Sequence, residues 1–483
     1  MEQRKSSKHE KGKAQAGQTS VRLNTDGLDD GGLVRSSEEA PVMGVERRGE
    51  VIQLKLALTP ARERGKTIEA ETKGIGITKR MVWEAYKQVK RKKGSGGIDE
   101  QSITDFEAYL RPNLYVLWNR LTSGSYRAPN VLKVEISKSD GGTRTLGVPT
   151  VSDRIAQQVV KNLIEPKLEA EFSKNSYGYR PGRNAHHALE SVRQNVWKHN
   201  WVIDMDISKF FDEVDHGLMQ KALDLHVKEK GIRTYITQWL EAPREDRKGE
   251  VESTPGKGTP QGGVISPLLA NLYLHYVLDK WLELKYPGVK FVRYADDVIV
   301  HCDTKAGAEQ IMQSIKDRLG QCHLSLNEKK TRIVYCGSNK QYRKEADNTM
   351  FDFLGYSFKL RTTARKSGGL FQGYDCEISQ KSEKKIIGEI RASSFQTWTG
   401  SELTRIIGHF NPKIIGWINY YGRFRRYRLQ RIFRNFHHRL ITWLVRRYKR
   451  FKRMRVKAGK WLRRLAKTHS YLFHHWSKGF EAA

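Results

Sequence analysis

Residues 291–301 read Phe-Val-Arg-Tyr-Ala-Asp-Asp-Val-Ile-Val-His, two short apolar runs that meet at adjacent acids. Each run has the composition of a strand, and two acids are what a tight turn between strands tolerates. The stretch predicts a hairpin that presents Asp296 and Asp297 at its turn. Taken alone, such aspartates are turn chemistry. A second stretch changes the reading: Trp201-Val-Ile-Asp-Met-Asp-Ile-Ser-Lys-Phe-Phe-Asp212 also runs an apolar strand into acids. The two-residue period puts Asp204 and Asp206 on one face of that strand. Phosphoryl transfer by the two-metal route needs hard oxygen ligands from separate strands, converging on ions about 4 Å apart. Asp206 with Asp296 meets that need.

The charge balance points to the partner of such a site. The 483 residues hold 87 Lys and Arg against 53 Asp and Glu, a formal net charge of +34. A polyanion neutralises such a surface best, and nucleic acid is the first expectation. A membrane is disfavoured, because the chain has no run of about 18 apolar residues and no charged-then-apolar leader. It is expected to be soluble, unexported and cytoplasmic, without a membrane partner. The length suggests two or three domains. Cysteines 302, 322, 336 and 376 form no C-x-x-C pair, which excludes a zinc knuckle and predicts reduced, mostly buried thiols.

Residues 1 to about 75 are polar, poor in aromatics and without a sustained period, the pattern of a disordered arm. Helical spacing begins with Met81, Val82, Ala85, Tyr86 and Val89, and Gly94–Gly97 break it. Strand-like pieces at 131–136, 145–148 and 201–207 then alternate with helical ones at 153–168 and 185–197, which predicts an α+β domain running to about 358. From residue 401 onward, 22 Lys and Arg face only Glu402 and Glu481, with aromatics interleaved. Residues 411–427 predict an aromatic-studded helix with a basic face. Phosphate contacts, with aromatics available for stacking, account for such a segment.

Tyr294-Ala-Asp-Asp297 resembles the active-site box of reverse transcriptases, and Asp206 with Phe210-Phe211 resembles the metal-binding box before it. Five further blocks, at 138–154, 176–183, 258–267, 326–332 and 353–356, are similar in order to those of group II intron-encoded proteins. The stretch 411–427, with Gly-Trp-Ile-Asn-Tyr-Tyr, resembles their thumb or maturase domain. The resemblance runs from about 76 to 476.

It implies a right-hand polymerase of the α+β class. A fingers extension would occupy 76–130, and fingers and palm with an antiparallel palm sheet 131–365. An α-helical thumb or maturase domain would follow at 366–455, and a basic DNA-binding tail at 456–483. It implies that Asp206 and Asp296 bind two Mg²⁺ ions with Asp297 beside them, position relative to Phe211 favouring Asp206 over Asp204. Phe211 resembles the aromatic gate that rejects a ribose 2′-OH by bulk. Lys138 and Arg144 resemble the finger residues that hold the triphosphate of the incoming dNTP, and Gln261 with Gly262 the loop lying along that nucleotide. Lys330 resembles a lysine near the pyrophosphate leaving group, a general acid, with Lys329 as the adjacent alternative.

Tyr177, Tyr179, Arg180 and Arg183 are expected to shape the fingers and touch RNA, and Lys413, Arg423, Arg425, Arg426 and Arg428 to grip the intron. His186 and His187 fall at a helix start and are not read as metal ligands. The implied partners are group II intron RNA, target DNA and a primer. Many relatives carry a Cys/His-rich H-N-H endonuclease; no such cluster is found here, so no second-strand nicking is expected. Two other classes stand beside this reading: a host-adopted reverse transcriptase of defence or retron type, and a splicing-only RNA-binding protein.

Overall fold

The computed structural model describes residues 75–137, 142–253, 255–364 and 368–481. The arm expected over 1–75, apart from its last residue, lies outside them, as does Lys138. Eleven strands among the described residues form three sheets. β1 (Val131–Ser137), β2 (Thr143–Val148), β4 (Arg244–Glu245) and β5 (Val251–Glu252) lie in the order β2-β1-β4-β5. β3 (Trp201–Asp206), β6 (Lys290–Tyr294), β7 (Asp297–Cys302) and β8 (Arg332–Tyr335) lie in the order β6-β7-β3-β8, all antiparallel. β9 (Met350–Phe353), β10 (Tyr356–Ala364) and β11 (Leu370–Ile378) lie in the order β11-β10-β9.

Strand alternation decides the second sheet, which carries the acids. Trp201, Ile203 and Met205 of β3 and Val298, Val300 and Cys302 of β7 face one core, shared with helices Val151–Glu171, Ser266–Leu274 and Lys305–Gln321. Val202 and Ile299 face another, against helix Ala185–Asn195 and the sheet of β9–β11. Both faces are covered at this end of the strands. Each fully buried Val, Ile or Met contributes about 1.5–3 kcal/mol, so a one-residue slip that reverses the faces is excluded. Asp204, Asp206 and Asp297 share the face of Val202 and Ile299 by the same alternation.

In the fingers, helix Val151–Glu171 is nearly all buried in its first half and is capped by Thr150, whose Oγ1 accepts from Asp153 N at 3.1 Å. Asp153 is a buried acid that accepts from the Tyr126 hydroxyl, from Trp239 Nε1 at 2.7 Å and from Gln157 Nε2 at 3.0 Å. Burial outweighs these donors and raises its carboxyl to about 6. All four cysteines are free and buried.

Helices Gln380–Ala392, Leu403–Tyr421, Gln430–Arg447 and Arg455–Thr468 wrap a separate core around Phe395, Phe410, Phe433, Phe436 and Trp443. Three expectations need correction here. The helix expected through 427 ends at Tyr421, and Arg425 takes a left-handed φ of +43° before a short 3-10 turn, Arg426–Leu429. A domain boundary at 365 would cut a hairpin, since β10 and β11 pair without a break from Tyr356↔Ile378 to Ala364↔Leu370. The tail expected from 456 is part of the helical core, into which it sends Ala458, Leu462, Phe473, Trp476 and Phe480. Among the described residues no helix is long and apolar enough to cross a membrane.

Candidate active site

β3 ends at Asp206, β7 begins at Asp297, and their register sets the two opposite each other. Asp296 occupies the turn between β6 and β7, after Ala295, whose φ of +58° is unusual for a residue with a Cβ. Asp204, which period alone left level with Asp206, is held by Arg332, Nε to Oδ2 at 3.1 Å. Burial first raises the Asp204 carboxyl to about 6, with Arg332 opposing. Asp206 looks instead toward the loop after residue 324: Asn327 Nδ2 and Lys330 Nζ reach its Oδ2 at 3.1 and 3.3 Å, and Asn327 N donates to its carbonyl at 2.8 Å. Of the two lysines, Lys330 makes this contact.

Loss of solvent, and after it the charges of Asp296 and Asp206, push the Asp297 carboxyl up to about 7. Asp296 is raised as well, first by burial and then by Asp206, while Arg144 and Lys330 pull the other way. Carboxylates that raise one another in this way favour added positive charge. Their hard oxygens suit divalent cations of the Mg²⁺ kind.

Arg144, whose charge acts on Asp296, also reaches the loop 258–263. Gly147 N of β2 donates to Gln261 O at 2.8 Å, and the Arg144 Nε donates to the Gln261 side-chain oxygen. Gly262 has φ +123°, and a Cβ there would lie 2.6 Å from Gly147 O, so only glycine permits this approach. On the other side Thr259 N donates to Phe211 O at 2.7 Å. Phe210 is buried and Phe211 half-buried, their rings edge to face at 5.3 Å. Arg144, Gln261, Gly262 and Phe211 are thus joined through this loop, and the Arg144 charge acts on Asp296.

The basic residues fare differently. Arg180 is 6% exposed and chelated by Glu169, with Nη2 to Oε1 at 2.6 Å, and it also donates to the carbonyls of Ser173 and Ser176. The expected RNA contact is corrected: a buried guanidinium must satisfy its donors within the protein, and this one does. Arg183 donates to Lys174 O and Ser176 O and covers the Tyr177 ring. Arg425 pairs with Asp375 at 2.8 Å, Arg428 with Glu377 at 3.2 Å and Lys413 with Glu389 at 2.7 Å. Arg426 donates to Lys478 O and covers Phe480, while Arg423 stays exposed. Sequence reasoning missed Asn327, Arg332, Asp375 and Glu377. Asn327 and Arg332 stand inside the block 326–332, which was their only signal.

The reverse transcriptase (RNA-dependent DNA polymerase) family matches residues 136–358, and the group II intron maturase-specific domain matches 383–461. Protein YkfC of Escherichia coli (strain K12) is 33% identical over 298 residues, 54% of this chain and 74% of that protein. The group II intron-encoded protein LtrA of Lactococcus lactis subsp. cremoris is 29% identical over 279 residues, 55% of this chain and 44% of LtrA. The putative COX1/OXI3 intron 1 protein of Saccharomyces cerevisiae is 26% identical over 337 residues, 59% of this chain and 39% of that protein. The match thus spans less than half the length of these last two. The two matched regions follow each other in the chain as polymerase core and helical region follow each other in the fold, a pairing that a host-adopted reverse transcriptase does not call for. The chain belongs to the family of group II intron reverse transcriptases and maturases, in which an RNA-directed DNA polymerase is joined to a maturase-specific domain.

Proposed function

We propose that this chain copies group II intron RNA into DNA at the cleft of Asp206, Asp296 and Asp297, and that its helical C-terminal region holds the same RNA while the intron splices. The register that sets Asp206 opposite Asp297 carries this reading. Asp206 and Asp296, with Asp297, would hold two Mg²⁺ ions, hard cations whose remaining oxygen ligands substrate and water would supply. Bound there, the ions supply Lewis-acid stabilisation of the attacking and leaving oxygens. Arg144 exchanges its bond to Gln261 for the triphosphate, Gln261 and Gly262 line the nucleotide, and Phe211 limits the sugar. Lys330, with its side chain 60% exposed, is free to turn from Asp206 and donate a proton to the departing pyrophosphate.

The helical region offers a groove of about 730 Å³ lined by Arg426, Arg428, Arg431, Arg434 and Lys478 beside Glu383, which suits RNA phosphate. Target DNA and a primer are the remaining partners, and the cytoplasm is the proposed place of work. The test is primer extension on an RNA template by the full chain and by Asp206→Asn and Asp296→Asn. Wild type should extend the primer and both variants should fail while keeping RNA affinity. Near-wild-type extension by either variant would remove the site assignment.

A further inference from the structure

The turn that carries Asp296 is braced from behind by a buried charge. Arg293 is wholly buried and each nitrogen of its guanidinium is engaged. Nε and Nη2 fork onto Asp279 Oδ1 and Oδ2 at 2.7 and 2.5 Å, and Nη1 donates to Asn271 Oδ1 at 2.9 Å and to the Ala295 carbonyl at 3.1 Å. Asp279 is equally buried. Asn271 Nδ2 passes the connection on to Gly178 O at 2.8 Å. A Cβ on Gly178 would lie 2.5 Å from Ala295 N, so this segment presses directly on the turn.

The helix that supplies both partners is built for them. Ser266–Leu274 continues as a π turn, His275–Asp279, before α geometry resumes at Lys280. In an unbroken α-helix, residues as far apart as Asn271 and Asp279 would stand about 80° apart around the axis. The extra residue of the wide turn reduces this to about 20°, and both side chains meet one guanidinium. A buried ion pair is a weak source of stability, because desolvation cancels most of the Coulomb gain. What this one fixes is Ala295, the left-handed residue next to Asp296.

We propose that Arg293, locked by Asp279 and Asn271, is a positioning residue for the polymerase reaction: it sets the Ala295–Asp296 turn and so the aim of the Asp296 carboxylate at its divalent ion. The inference rests on the reading of Asp296 as a metal ligand. Arg293→Lys keeps a positive charge for Asp279 but loses the fork and the bond to Ala295. Asn271→Ala leaves the ion pair and removes the third anchor. Both are compared with wild type, as full chains, by kcat and KM for dNTP, by Mn²⁺ binding followed by electron paramagnetic resonance, and by thermal unfolding.

The expected result for Arg293→Lys is a kcat about 100-fold lower with KM changed by no more than about twofold, the size of effect a misplaced reacting group produces. For Asn271→Ala the loss is about tenfold. Mn²⁺ binding should weaken in the same order. Variants that melt earlier yet keep wild-type kcat and Mn²⁺ affinity would overturn the proposal and leave the network merely structural. If Arg293→Lys does not fold, Asn271→Ala decides by the same readouts. A wild-type chain that extends no primer would remove the polymerase reading, whereas the order of Mn²⁺ affinities still decides the positioning role.

Discussion

Arg425 closes on Asp375, Nε to Oδ2 at 2.8 Å, from a backbone held at φ +43°. Asp375 also takes Arg193 of the Ala185–Asn195 helix at 3.0 Å, so one carboxylate of β11 joins the palm side to the turn after the Leu403–Tyr421 helix. The four arginines expected to grip RNA therefore have different work.

Arg425→Gln should lower the thermal unfolding temperature, with about 1 kcal/mol lost from a half-buried pair. Arg423→Gln should leave it unchanged and weaken RNA binding alone. Affinity followed against salt separates the two: removing a side chain that neutralises one phosphate flattens the log–log slope by about 0.7 to 0.9. Equal melting temperatures for the two variants would contradict this division.

Asp204 and Asp206 are two residues apart on one strand face, yet their partners divide them. Asp204→Asn removes an acid already committed to Arg332 and should leave primer extension within about threefold of wild type, whereas loss of a metal-holding acid costs on the order of 10²-fold or more. Single-turnover rates for Asp204→Asn and Asp206→Asn provide the comparison. A dead Asp204→Asn chain that still binds RNA would place Asp204 among the metal-holding acids.

Phe211 is half-buried while Phe210 fills the core. Phe211→Ala should therefore increase ribonucleotide incorporation relative to deoxyribonucleotide, by about tenfold if the ring excludes one hydroxyl by bulk. Phe210→Ala should cost about 3–5 kcal/mol of stability. Single-nucleotide incorporation assays and denaturant unfolding read the two effects. Unchanged sugar discrimination in Phe211→Ala would return that ring to a packing role.

Asp153 has a folded-state carboxyl raised to about 6 from a reference of 3.8. Between these values the native chain holds a proton that the unfolded chain has released, so this group's contribution to stability is full below about 4 and is lost as pH rises to about 6. Asp153→Asn has no such proton to lose. The stability of the variant relative to wild type should grow over that window and level off above it, rising by about 1.4 kcal/mol for each pH unit crossed. Denaturant unfolding at several pH values gives the difference curve, and a flat one would exclude the buried acid as its source.

The strands were legible because alternation is local: Trp201, Ile203 and Met205 against Val202 and Asp204 can be read without knowing the partner strand. The acids were legible for the same reason, since a strand that ends in Asp206 and a turn that holds Asp296 are features of a few residues each. Arg180 was not. Its exposure depends on Glu169 one helix earlier and on carbonyls of its own loop, and a basic residue in a glycine-containing segment carries no mark of such chelation. Arg332 and Asp204 are 128 residues apart, and Arg425 and Asp375 are 50 apart. Pairs of that span arise from packing rather than from spacing. The expected boundary at 365 cuts the hairpin of β10 and β11 because the resemblance to the polymerase blocks ends at Tyr356 and nothing in the composition before residue 401 marks where the sheet ends.

The carbonyl of Tyr420 accepts from His186 Nε2 at 2.8 Å and from the Tyr356 hydroxyl, and the Tyr420 hydroxyl donates to Leu354 O at 2.8 Å. These partners lie 234, 64 and 66 residues upstream. During synthesis the polymerase half leaves the ribosome with this seam open, and it can close only after the Leu403–Tyr421 helix has been made. Bonds of such separation form late, since loop closure must precede any gain from them. Until then the nascent chain exposes an aromatic edge around Tyr356 and His186, and the speed of translation beyond Tyr356 sets how long that edge waits for its cover.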